Sequence, residues 1–129
     1  MNTFTTKNFS DYIYEKLENI GYEIVLSTPT TKSKFPCIVL DTPIEIPNLI
    51  DEAKIIIKRF QISIQVWTDG KRECMNMFKK ISDVLENSNI LKTSNDNIVF
   101  DEITKKYQGS ATYEVNYNAL YHTFEYIRR

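Results

Sequence analysis

Arg59-Phe60-Gln61-Ile62-Ser63-Ile64-Gln65-Val66-Trp67-Thr68-Asp69-Gly70 alternates apolar and polar residues and then stops at a turn. Successive side chains of a strand point to opposite faces, so Phe60, Ile62, Ile64 and Val66 share one face and Arg59, Gln61, Ser63, Gln65 and Trp67 the other. This is the pattern of a half-buried antiparallel strand. Asp69-Gly70 leads directly into a helical pattern, so strand, tight turn and amphipathic helix follow in order, with no catalytic residue set at the junction.

Upstream, Phe9, Tyr12, Ile13, Leu17 and Ile20 recur at helical spacing, predicting a helix over 7–20 capped by Thr6 and stopped at Gly21. Residues 22–26 and 35–40 are two apolar β-rich runs joined by a polar turn over 27–34; Phe35-Pro36 opens the second run and Pro43 closes it. Over 42–53 the periodicity fails: Pro43, Pro47 and Asn48 interrupt it, and Glu45, Asp51 and Glu52 make it acidic. A long loop without a regular ladder, open to interaction, is one reading of this stretch; a short helical turn over 48–54 is the other.

Downstream, the strand over 54–68 gives way to a helix over 71–87. Cys74, Met77, Phe78, Ile81, Val84 and Leu85 lie on one side of it and the charged residues on the other. After a polar connection over 88–97, a closing hairpin is expected: strands over 98–107 and 111–126, with the turn at Gln108-Gly109-Ser110. Tyr113, Val115 and Tyr117 have one parity, and Leu120, His122, Phe124 and Tyr126 the other; a bulge near Asn118, or burial of both faces near the end, reconciles the two halves. The order becomes α-β-β-β-α-β-β, an α+β fold with the helices packed on one face of an antiparallel sheet, in a single domain over 1–129.

The 129 residues carry 16 Lys and Arg against 17 Asp and Glu, with the two signs interspersed. No basic stripe therefore supports specific nucleic-acid binding. Cys37 and Cys74 are far apart, each among apolar residues, and read as buried free thiols in a reducing compartment. No apolar run suggests a signal peptide or reaches membrane-spanning length, so a cytoplasmic site of synthesis and no membrane partner are expected.

Common catalytic chemistry is not visible. His122 is the only histidine and sits among aromatics, reading as a structural imidazole. Two isolated cysteines show no metal-ligand spacing. Gly21, Gly70 and Gly109 stand singly at turns or caps, not in a phosphate-cradling loop. Asp101 and Glu102, as strand neighbours, point to opposite faces and cannot act as an acid–base couple. No enzyme, metal or cofactor is expected. The eight Tyr, seven Phe and one Trp instead suit surfaces buried on association.

Phe35-Pro36-Cys37-Ile38-Val39-Leu40, the strand from Phe60 to Trp67, the helix over 74–85, and Tyr113-Glu114-Val115-Asn116-Tyr117-Asn118-Ala119 together resemble the tail terminator, or tail completion, proteins of tailed bacteriophages. The resemblance implies a structural virion subunit, assembled in the bacterial cytoplasm. It would form a homo-oligomeric, hexameric ring at the head-proximal end of the tail tube, stopping tube polymerisation and offering a docking face to the head or neck. Its partners would be its own copies, the tail tube protein, a head-completion or neck protein and, in a contractile tail, a sheath-related protein. Near-neutral charge suits a channel that passes DNA without retaining it. Subunits in a ring meet head to tail, so two different patches are needed; Ile44, Glu45, Ile46, Leu49, Trp67 and Tyr121 are the candidate interface residues. The alternatives are a small cytoplasmic protein-binding module or regulatory subunit and, behind it, an enzyme built from scattered carboxylates.

Overall fold

The computed structural model describes residues 4–46 and 57–127. In chain order these form α1 (Thr6–Glu18), β1 (Glu23–Val25), β2 (Cys37–Leu40), β3 (Ile44–Ile46), β4 (Ile57–Thr68), α2 (Lys71–Glu86), β5 (Leu91–Lys92), β6 (Asn97–Asp101), β7 (Lys106–Asn118) and β8 (Thr123–Glu125). The fold is α+β as expected, but the order is α-β-β-β-β-α-β-β-β-β. Of the extra strands, β3 and β5 are short pieces within stretches read as connections, and β8 is the end of the expected last strand, separated from β7 by a turn over 119–122.

Two long strands organise the sheet. β4 pairs antiparallel with β7 along its whole length, from Ile57 opposite Asn118 to Thr68 opposite Tyr107. The outer edge of β4 is filled in two pieces: β2 opposite 64–67 and β3 opposite 59–61. The outer edge of β7 is filled in three, by β6, β5 and β8. β1 continues the sheet beyond β2, and this pair is parallel, not the hairpin that adjacency suggests. The connection between β1 and β2 is long enough to carry the chain back to the starting end of the sheet, and parallel pairing requires that return.

The alternation of β4 is obeyed throughout. Phe60, Ile62, Ile64 and Val66 lie opposite Val115, Tyr113, Ala111 and Gly109, and all eight are buried on one face. Both helices cover that face. Phe9, Ile13 and Leu17 of α1, spaced by four, and Cys74, Met77, Phe78, Ile81 and Leu85 of α2 complete the core. Phe9 stacks on Phe60 with ring centroids 5.2 Å apart.

Helix α1 begins one residue earlier than predicted, because Thr5, not Thr6, is the cap. Its hydroxyl accepts from the Asn8 N–H at 3.3 Å while the Asn8 carboxamide accepts from the Thr5 N–H at 2.9 Å. Gly21 follows the helix with φ +97, as a left-handed stop requires. At α2 the capping residue is Gly70, which has no side chain, and Thr68 organises the turn instead. Its buried hydroxyl donates to the Gly70 carbonyl at 2.6 Å and accepts from the Gly70 N–H at 3.2 Å.

The closing hairpin is misplaced in the sequence reading. Gly109 lies within β7, and the turn falls at 102–105. Asp101 builds that turn: its carboxylate accepts from the Thr104 N–H at 2.8 Å and the Thr104 hydroxyl at 2.7 Å, which hold its pKa below the usual range. Lys105 then takes φ 61. Gly109 is a glycine for a different reason, close approach: a Cβ there would stand 2.6 Å from Phe78 Cε2 and 3.2 Å from Val66 Cγ2. The parity change near Asn118 is likewise a second hairpin and not a bulge. The Asn118 carboxamide oxygen accepts from the Leu120 and Tyr121 N–H groups, and its nitrogen donates to Glu125 at 3.1 Å. His122 sits in this turn, exposed and with φ 56, instead of in a strand.

Two stability predictions follow from this packing. Ile64→Ala, at the centre of the core face, is expected to cost about 2–5 kcal/mol in denaturant unfolding, whereas Gln65→Ala, on the opposite face, should cost under about 1 kcal/mol. Gly109→Ala should cost about 1–3 kcal/mol by overpacking against Phe78. Phe78→Leu, which removes the clashing ring edge, should make the two substitutions non-additive in a double-mutant cycle.

Candidate interaction surfaces

The face of the sheet opposite the helices is open over the two long strands. Gln61, Ser63 and Gln65 of β4 and Ser110, Thr112 and Asn116 of β7 present amides and hydroxyls there, all half-buried. Arg59, opposite Asn116, and Glu114, opposite Gln61, add one charge of each sign to the same face. An antiparallel sheet can face water on one side, and this polar surface suits such a face.

One corner of it is closed. Trp67, 4% exposed, packs with Cys37 and Val39 under the partly buried Val25 and Phe35. Its indole N–H donates to the Gln65 side chain at 3.1 Å. Trp67 is therefore not part of an accessible interface patch as expected: Val25 and Phe35, at the two ends of the β1–β2 connection, cover the place a partner would need.

The other candidates are spread apart. Ile44, 53% exposed, and half-buried Ile46 lie on the open face of β3, whose ladder with β4 overturns the loop reading for 44–46. Glu45 points to the helix side, where its carboxylate is 3.7 Å from Lys58 Nζ. Leu49 lies outside the described residues, as does 47–53 of the expected loop. Tyr121, 70% exposed, projects from the β7–β8 turn beside exposed Leu120, across the sheet from β3.

A further exposed apolar group was not singled out from sequence: Val99, Phe100 and Ile103, on β6 and the turn after it. The misplaced turn concealed it. With the hairpin apex set at Gly109, these residues read as ordinary strand interior.

Two cavities among the described residues are shallow surface features. A groove of about 610 Å³ between α2 and β5 is lined by Met75, Phe78, Ser82, Leu91, Lys92 and Asp96 among others. A depression of about 270 Å³ lies between the start of α1 and the β2–β3 connection, beside Lys7 and Asp41. Among the described residues no three His, Cys, Asp or Glu side chains converge as metal ligands, and no helix is long and apolar enough to cross a membrane.

Comparison of the chain with protein-family models and with curated proteins finds no match.

Both cysteines are buried and free. Burial, with a smaller contribution from Glu23, pushes the Cys37 thiol from 9.0 up to about 11; burial also raises Cys74, against the hydrogen bond it shares with Thr68. Alkylation should accordingly be slow in the native protein at neutral pH and complete after denaturation, and rapid native labelling would contradict the packing. Because the folded state holds the Cys37 proton to higher pH than the unfolded state, stability should fall as pH rises from 9.0 towards about 11. Cys37→Ala should flatten that part of the pH profile.

Proposed function

We propose that this chain is a structural assembly subunit of the tail-terminator type, forming a homo-oligomeric ring that caps a phage tail tube. One observation carries the reading: an α+β sheet with all its helices on one face, a polar opposite face on which Arg59 and Glu114 balance in charge, and strand edges on both sides without strand partners among the described residues. A subunit that works by shape and self-association needs surfaces of this kind and no reaction centre. In the ring the helices face outward and the amide- and hydroxyl-bearing face lines the channel, where the absence of a basic patch lets DNA pass. The resemblance of the strand, helix and hairpin motifs to tail terminator proteins supports the same reading. Tube, neck and, in contractile tails, sheath-related proteins are the proposed partners.

Purified chain added to polymerising tail tube protein from the same genome neighbourhood should give tubes of arrested length with a ring at one end in negative-stain images. Ile44→Ser combined with Tyr121→Ser should weaken capping with the melting temperature nearly unchanged, since both side chains are exposed. A chain that leaves tube length unaltered at saturating concentration is not a terminator.

A further inference from the structure

The outer edges of β1 and β6 have no strand partner among the described residues. Natural edges are usually blunted by lysine, proline or a covering element. β6 reads Asn97-Ile98-Val99-Phe100-Asp101, with neither lysine nor proline, and exposes Val99 (47%) and Phe100 (44%).

The ladders place these two edges at the same height in the sheet. Ile98 lies opposite Gly109, which lies opposite Val66; Ile24 lies beside Ile38, which also lies opposite Val66. The directions are complementary as well. β1, β2 and β7 run one way and β4 and β6 the other, so a second copy set beside the first by rotation about an axis along the strands brings its β1 antiparallel to β6.

We infer that the β6 edge of one copy pairs antiparallel with the β1 edge of the next, with Ile98 opposite the neighbour's Ile24, so that the sheet continues from subunit to subunit. This deepens the ring reading and takes its head-to-tail symmetry from it. The register follows from zero displacement along the strands, and the side chains favour the same one. On the helix face Ile98 meets Ile24, and Phe100 meets Tyr22 just before β1. On the open face Val99 meets Glu23, and Asn97 meets Val25. A shift of two residues in one direction sets Glu23 against Asp101, a like-charge pair; the opposite shift sets Ile24 against Asp96, which is ion-paired to Lys92 at 2.7 Å.

The register makes a charge-swap test possible. Val99→Glu faces the neighbour's Glu23 and should weaken association by roughly tenfold or more, read as a rightward shift of the assembly curve by native mass spectrometry or light scattering. Adding Glu23→Lys should restore it. Val99→Lys alone should preserve assembly by pairing with Glu23. Thermal melts of each dilute variant show whether the subunit is folded, and Val99 is exposed enough to tolerate the changes. If β6 instead pairs with β6 of a second copy about a two-fold axis, both Val99→Glu and Val99→Lys break the assembly, Glu23→Lys does not rescue, and the inference is overturned. Assembly indifferent to all three variants overturns it too. The terminator reading fails separately: rings that obey the charge swap yet leave tail tubes uncapped uphold this contact and refute that function. Capping that ignores the swap does the reverse.

Discussion

The pairing of β4 with β7 is the constraint on which the rest of the molecule depends. It spans all 12 residues of β4, and every other strand except β1 attaches to one of these two. A two-stranded ribbon is marginal in water unless one face is buried. Here the ladder aligns Phe60, Ile62, Ile64 and Val66 with Val115, Tyr113, Ala111 and Gly109, making one apolar strip for both helices. The small residues at one end of the strip matter as much as the large ones. Gly109 and Ala111 leave room for Phe78 to approach the sheet, which brings α2 down onto the strands and buries Cys74, Met77 and Ile81 behind it.

Both edges of this ribbon are composite. Short strands pair with it in sequence, separated by devices that interrupt the backbone: Pro43 between β2 and β3, and the Asp101 and Asn118 turns around β7. Each device is a local hydrogen-bond solution. The Asp101 carboxylate and the Asn118 carboxamide satisfy backbone N–H groups that the turns would otherwise leave to water, and each lets a following residue, Lys105 or His122, adopt positive φ. The result is a sheet whose outline is set by turn chemistry more than by strand propensity.

Much of this was legible in the sequence, and what was not has identifiable causes. The period of two in β4 and the period of 3.6 in both helices gave the core residues almost without error, because burial of one face imposes the pattern that is read. Glycine was ambiguous. A turn and a close side-chain approach both select it, and at Gly109 the second cause operates, so the hairpin apex was misplaced from 102–105. The parallel pairing of β1 with β2 leaves no local trace, since a three-residue strand carries too little pattern to name its neighbour. Trp67 followed strand parity to the open face correctly, but its burial depends on a connecting segment whose course periodicity does not describe. At the candidate surfaces, Ile44 and Tyr121 are exposed, whereas the exposure of Val99 and Phe100 was hidden by the misplaced apex.

Residues on the open face and residues on the edge offer different kinds of contact. The face carries amides and hydroxyls that water satisfies equally well, so covering it gains little and leaving it open costs little. An edge strand differs, because its outward N–H and C=O groups have a fixed spacing that only another strand matches along its length. In β6 that spacing is combined with exposed Val99 and Phe100, so pairing would join backbone complementarity to apolar burial. The common height of β1 and β6 then restricts how a second copy could meet them, since one residue of slip turns each side chain to the wrong face, and two set Glu23 against Asp101 in one direction or Ile24 against Asp96 in the other. A surface of this kind would select its partner by register.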